Sequence, residues 1–236
     1  IRHGKTYCNE NKLYCGISDV PLSEEGKKEL EEKRKSVSLP ICKRNFTSGV
    51  KRANETFNIL YPNKKYEVIK EFGEYNFGDF ELKSYEMLKE DKEYLDWILD
   101  ESKEVCCPNG ESRRDFEKRM KKAFLKLLLT LKEEGEEEAL IVCHGGSIAC
   151  ILELFEKDKL DFYTYQPKCG GGYKLKVEQD INNLKGDFSS LEFEKDIIDN
   201  LRLEIPAFII TLAGMFFLRG VSYLVSEESI PINHPV

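Results

Sequence analysis

Histidine is scarce in this chain, with three residues in 236, at positions 3, 144 and 234. Two of them share a local context: His3 is followed by Gly4, and His144 by Gly145 and Gly146. Glycine after a histidine lets backbone N–H groups come close to a ligand, because no Cβ stands in the way. His144 also follows an apolar run, Ala139 to Cys143, and precedes an apolar helical run from Ser147. In open parallel sheets ligands bind beyond the carboxyl ends of strands, and a helix starting there favours an anion. Arg2 adjoins His3, and Arg52 sits in "TSGVKRANET", in the first turn after another short strand. Guanidinium groups grip phosphoryl oxygens through paired hydrogen bonds. Two arginines, two imidazoles and backbone donors form a constellation for phosphate.

The elements needed to position these groups can be read along the chain. Ser23 is an N-cap candidate for a charged helix from about Glu24 to Ser36. "ICKRNFTSG" reads as a short strand ending in a polar turn, and "VKRANETFNILY" as a helix with one apolar face. "YEVIKEFGEYNFGDFE" reads as extended chain and then loop. Ser84 to Asp100 reads as one aromatic-rich helix, with Tyr94 and Trp97 on a common face. "ESRRDFEKRMKKAFLKLLLTLKEEGEEE" is a long amphipathic helix with Phe116, Met120, Phe124 and Leu127 in its stripe. Arg113, Arg114 and Arg119 at its start read as solvated helix charge, with a contact at the substrate rim as the alternative. "GGGYKLKVEQD" and "KGDFSSLEFEKD" read as a terminal hairpin. Helices alternating with short apolar strands predict a three-layer α/β/α sandwich around a mostly parallel sheet.

Composition narrows the function. The chain has 36 basic and 43 acidic side chains, a formal net charge of -7, which argues against a nucleic-acid partner. A local pocket can still be positive on an acidic protein. The eight cysteines include no CxxC pair, and nothing ahead of them reads as a signal peptide. Free thiols in a reducing cytoplasm are the expectation. Cys143 reads as a small buried residue.

Five motifs occur in order: "RHGxTxxN", "GxSDVPLSxxG", "TSxxKRAxxT", "ExxFGDFE" and "xVCHGGxI". Together they resemble the histidine phosphatase superfamily, the phosphoglycerate-mutase-like clan, over about Arg2 to Val177. Within it the stretch after Glu74, and the lack of the mutases' long insertion, resemble the alpha-ribazole phosphatases of cobalamin biosynthesis. The resemblance implies a phosphatase acting on a small phosphate monoester, with alpha-ribazole 5'-phosphate as first reading and a broad or sugar-phosphate phosphatase as second. It implies His3 as the nucleophile, with Arg2, Arg52 and His144 around the phosphoryl oxygens. Asn9 and Gly145 join the phosphate set, Glu74 protonates the leaving oxygen, and Cys15 and Gly16 occupy a substrate loop. Phe77 stands where some mutases carry tyrosine. No metal or cofactor is implied, because the cationic side chains take the place of a magnesium ion.

Two features fall outside that pattern. The resemblance implies an apolar strand immediately ahead of Arg2, and only Ile1 stands there, so a truncated first strand is expected. The phosphatase domain is expected over residues 1–195, with 196–236 as an appendage. In it Ile205 to Val225 is nearly all apolar apart from Arg219 and is long enough to cross a bilayer. This tail resembles a short piece of a ribose- or galactose-type sugar ABC-transporter permease. The expectations for it are an extra apolar helix, either foreign to the phosphatase, in contact with a membrane, or packed on the domain. A non-catalytic phosphate-binding protein and a membrane-anchored fragment are the readings outside enzymology.

Overall fold

The computed structural model describes residues 1–155, 162–178 and 202–204. In chain order the elements are α1 (Tyr7–Glu10), α2 (Glu24–Ser36), β1 (Arg44–Thr47), α3 (Lys51–Leu60) and β2 (Glu67–Val68), followed by two 3-10 turns, Lys70–Phe72 and Gly78–Phe80. Then come α4 (Tyr85–Leu88), α5 (Lys92–Ile98), α6 (Arg113–Glu133), β3 (Ala139–Val142), α7 (Gly145–Phe155), β4 (Lys176–Glu178) and β5 (Arg202–Glu204).

β1 is central, paired in parallel with β2 on one side and β3 on the other, Phe46 lying opposite Ile141. The chain's first residues run parallel along the far side of β3: Cys143 donates to the Ile1 carbonyl, His3 donates to the Cys143 carbonyl, each at 2.9 Å, and Arg2 bridges Cys143.

Side-chain alternation along β3 divides the core in two. Leu140 and Val142 pack with Leu30 of α2 and with Ala53, Phe57 and Leu60 of α3. Ala139, Ile141 and Cys143 face the larger core, built from Phe116, Met120, Phe124 and Leu127 of α6 and Ile148 and Leu152 of α7. Helices therefore cover both sheet faces, as the alternating sequence predicts. Each large apolar side chain buried there stabilises the fold by about 1.5–3 kcal/mol.

The caps explain most boundaries. Ser23 Oγ accepts the Gly26 N–H at 3.1 Å and starts α2 where the sequence places it. Ser112 Oγ accepts the Asp115 N–H at 3.1 Å and starts α6. The turn from β1 into α3 needs Gly49, whose φ of +84° is in the left-handed region. Asp19, from the loop after α1, accepts the Lys51 N–H at 2.7 Å and caps α3 from a distance.

One expected helix divides. The stretch from Ser84 to Asp100 forms α4 and α5, because Asp91 accepts the N–H groups of Glu93 and Tyr94 and restarts the helix there. β4 pairs antiparallel with β5, which lies within residues 196–236. The hairpin partner expected at residues 185–196 and the apolar stretch at 205–225 lie outside the described residues. Among the described residues no helix is long and apolar enough to cross a membrane.

Candidate active site

His3 sits at the end of the sheet on a segment held from three sides. Its N–H is bonded to Cys143, and Gly170 donates to its carbonyl at 3.0 Å. The Gly4 N–H donates to Thr56 Oγ1 of α3 at 2.9 Å. The residue as a whole is 5% exposed. Its Nδ1 lies 2.7 Å from the Gly4 carbonyl oxygen. A carbonyl only accepts, so Nδ1 carries the hydrogen and Nε2 keeps the lone pair in the neutral ring. Burial, then the charges of Arg52 and Arg2, hold the ring well below its ordinary titration range, so it stays neutral.

His144 lies beside it, fully buried, the two ring centroids 5.2 Å apart and 61° between planes. Its Nε2 is 2.7 Å from Ser48 Oγ, in the turn after β1. Burial, Arg52, His3 and Arg2 depress its protonation in the same way.

Arg2 and Arg52 are both buried. Arg2 Nη1 donates to the Pro167 carbonyl at 2.7 Å. Arg52 donates from Nη1 to Ser18 O at 2.8 Å, and from Nη2 to Gly16 O at 2.6 Å and Cys15 O at 3.2 Å. Among the described residues five buried side-chain polar atoms have no partner, and three of them are Arg2 Nε, Arg52 Nε and His144 Nδ1. Leaving a buried donor unpaired costs roughly 1–3 kcal/mol. The two guanidinium N–H groups beside His3 are donors in search of an acceptor, which is the chemistry of an anion site, and His144 Nδ1 joins them in the tautomer in which Ser48 donates to Nε2.

Glu74 closes the other side. Its Oε1 accepts the Tyr75 N–H at 2.9 Å and its Oε2 the Gly146 N–H at 2.8 Å. Burial raises its proton affinity above the usual carboxylate value, against the opposing pull of those two N–H groups and of Arg52 and Arg2. The loop carrying it is held twice. Ser147 Oγ donates to the carbonyls of Phe72 and Gly73. Arg119 donates to the carbonyls of Glu71, Gly73 and Glu74, while Glu111 takes its Nε and Nη2. Arg119 is therefore a tie between α6 and the Glu74 loop and not a solvated charge. Arg114 fits the solvated reading, pairing with Glu104 at the surface. Arg113 lies over the Phe162 ring at 3.8 Å and lines the cavity.

The remaining expected site residues are distributed around this centre. Asn9 Oδ1 accepts the Thr6 N–H at 3.0 Å in the capping box of α1, which fixes its amide orientation and leaves Nδ2 as the donor. Asn9 and Cys15 line the cavity. Gly16 lies behind the wall, pressed so closely on Tyr75 that a Cβ would come 1.7 Å from its carbonyl oxygen. Gly145 packs against Arg2, 3.1 Å from its guanidinium carbon as a Cβ would stand.

The cavity is about 430 Å³, with Arg2, His3, Asn9, Glu74 and Gly146 at one end. Arg52 and His144 stand behind that end. The other end is aromatic, with Tyr14, Tyr75, Phe77, Trp97, Phe116 and Phe162 on its walls. Phe77 meets Tyr14 at 4.9 Å and Tyr75 at 5.0 Å between ring centroids, and Trp97 Nε1 donates to Tyr75 Oη at 2.9 Å. Sequence reasoning missed Ser48, Thr56, Glu81, Arg119 and Ser147 as supporting groups. Ser48 and Glu81 lie inside quoted motifs, whereas nothing local marks Arg119 as different from its neighbours.

A parallel α/β sandwich with two buried imidazoles and two buried guanidiniums at the sheet end defines a phosphate-handling class. The chain belongs to the histidine phosphatase superfamily (branch 1), whose family model matches residues 1–180. It is 26% identical over 161 residues to the adenosylcobalamin/alpha-ribazole phosphatase of Escherichia coli, covering 64% of this chain and 75% of that protein. It is also 28% identical over 180 residues to a 2,3-bisphosphoglycerate-dependent phosphoglycerate mutase of Parvibaculum lavamentivorans, covering 66% and 78%. The crystal structure of the alpha-ribazole phosphatase from Shigella flexneri superposes with a TM-score of 0.64 at 24% identity, covering 76% of this chain and 89% of that one, and so shares the fold. A separate stretch of 34 residues is 94% identical to an inner membrane ABC transporter permease protein of Escherichia coli. It makes up 14% of this chain and 10% of the permease, in keeping with the permease-like reading of the tail.

Proposed function

We propose that the protein hydrolyses phosphate monoesters through a phosphohistidine at His3, and that its substrate is alpha-ribazole 5'-phosphate. The observation that carries this is the neutral His3 ring set among three unpaired buried nitrogens, Arg2 Nε, Arg52 Nε and His144 Nδ1. In the first step His3 Nε2 attacks phosphorus, the bond to the ester oxygen breaks, and that oxygen takes the Glu74 proton. Arg2, Arg52, His144 and the Asn9 amide offset the charge on the phosphoryl oxygens as it shifts. In the second step water attacks phosphorus and gives its proton to Glu74. The phosphorus–nitrogen bond breaks, and His3 is neutral again.

The choice of substrate rests on the aromatic end of the cavity. Alpha-ribazole carries a flat bicyclic base, and Tyr14, Phe77 and Trp97 offer faces and edges for it. Two cations at that end, Lys103 and Arg113, are already paired with Glu117, and Arg113 also with Glu153. That leaves these two poorly suited to bind the carboxylate of a phosphoglycerate, and Lys12 is the remaining lysine on the cavity wall.

Turnover across alpha-ribazole 5'-phosphate, 3-phosphoglycerate, glucose 6-phosphate and p-nitrophenyl phosphate tests the proposal. The expected order has alpha-ribazole 5'-phosphate highest in kcat/KM. Rapid interconversion of 2- and 3-phosphoglycerate would overturn it in favour of a mutase. Equal rates on all four esters would leave the hydrolysis and remove the named substrate.

A further inference from the structure

Glu81 contacts none of the side chains that gather around His3, yet its carboxylate collects four backbone N–H groups. Oε1 accepts from Gly16 at 2.9 Å, Ile17 at 3.0 Å and Phe77 at 3.2 Å, and Oε2 from Gly16 at 3.0 Å and Ser18 at 3.3 Å. Successive N–H groups converging on one anion form a nest. The carbonyls of the same loop point the other way, onto Arg52. The peptide joining Cys15 to Gly16 gives its N–H to Glu81 and its carbonyl to Arg52 Nη2 at 3.2 Å. The next peptide, from Gly16 to Ile17, gives its N–H to Glu81 and its carbonyl to Arg52 Nη2 at 2.6 Å. Two trans peptide groups thus stand in line between a carboxylate and a guanidinium, each polarised by both charges.

Three of the five guanidinium hydrogens of Arg52 are used on this loop, through Ser18, Gly16 and Cys15. The Nε–H and one Nη1 hydrogen remain. The loop therefore decides which edge of Arg52 is offered to a ligand. Gly16 lets this happen, since a Cβ there would also stand 2.5 Å from Glu81 Oε1.

We infer that Glu81 is a positioning residue that sets the orientation of Arg52 through the peptide groups of the Cys15–Ser18 loop. It does so without contacting substrate, and it ties that loop to Phe77 on the aromatic wall. The inference rests on the reading of Arg52 as a phosphoryl ligand.

The test is a double-mutant cycle on the full chain, with Glu81→Gln, Arg52→Ala and the pair, read by p-nitrophenyl phosphate kinetics, orthovanadate inhibition and melting temperature. Glutamine keeps the shape of Glu81 but turns an N–H₂ toward the nest. Glu81→Gln alone should lower kcat/KM by roughly ten- to hundredfold and weaken orthovanadate by a similar factor. In the Arg52→Ala background the same change should alter both by less than about threefold, because the groups act as one unit. Equal losses in both backgrounds, tracking a lower melting temperature, would show a purely structural role and overturn the inference. So would an unaffected Glu81→Gln enzyme. An unaffected Arg52→Ala enzyme would instead remove the phosphate reading of Arg52 itself. If Glu81→Gln does not fold, Glu81→Asp takes its place in the cycle: it keeps the charge but reaches fewer N–H groups, and the same outcomes decide.

Discussion

The Glu74 carboxylate is anchored on the first turn of α7 by the Gly146 N–H at 2.8 Å, and a Cβ at position 146 would stand 2.3 Å from Glu74 Oε1. Helix and carboxylate therefore depend on a residue with no side chain. Gly146→Ala should suit the helix, since alanine is the better helix former. It should nevertheless displace Glu74 and lower kcat/KM by roughly ten- to hundredfold. Steady-state kinetics beside a melting curve check this. Unchanged turnover would show that the position of Glu74 is immaterial.

His3→Ala should abolish hydrolysis while leaving the fold in place, since the His3 backbone bonds do not involve the ring. Brief incubation with a ³²P-labelled monoester should leave an acid-labile, base-stable label on the wild type and none on the variant. A variant that keeps near wild-type turnover would refute the phosphohistidine.

The pH profile of kcat/KM should have two limbs. Protonation of His3, which titrates well below 6.5, shapes the acid limb, and loss of the Glu74 proton, held above 4.5, shapes the alkaline limb. Glu74→Gln should flatten the alkaline limb. It should also slow a sugar phosphate more than p-nitrophenyl phosphate, whose leaving group needs no proton. Equal slowing of both esters would remove Glu74 as the acid.

Stability should fall on the acid side of pH 6.5. The unfolded chain takes up protons there that the buried rings of His3 and His144 refuse, which is a slope of about 1.4 kcal/mol per pH unit for each. Glu74 runs the opposite way, because above 4.5 the fold keeps a proton that the unfolded chain has lost. Two histidines against one carboxylate leave a net loss on acidification. His144→Gln should remove one histidine's share of that slope, measured by denaturant unfolding between pH 5 and 6.5. Parallel wild-type and variant curves would contradict it.

Removing residues 206–236, which keeps β5 and the whole of the 1–180 family match, should leave turnover on p-nitrophenyl phosphate unchanged and improve solubility. A loss of activity or of the folded state on truncation would make the tail integral to the domain.

What the sequence alone determined about this protein is local. Ser23 marks a helix start because a cap is decided within three residues. The layer order follows from apolar runs alternating with amphipathic ones, and the motifs around His3, Arg52 and His144 name the chemistry. Only the tertiary structure decided how these pieces meet. Arg119 looks like its neighbours in sequence, and only the packing of α6 against the Glu74 loop makes it a tie. Glu81 reads as one more acidic side chain after Glu74. Its partners, Gly16 to Ser18, lie more than sixty residues away, and their partner Arg52 lies on another helix. Propensity and capping act over a few residues. The neutral state of His3, the raised proton affinity of Glu74 and the aim of Arg52 come from burial and charge across the fold.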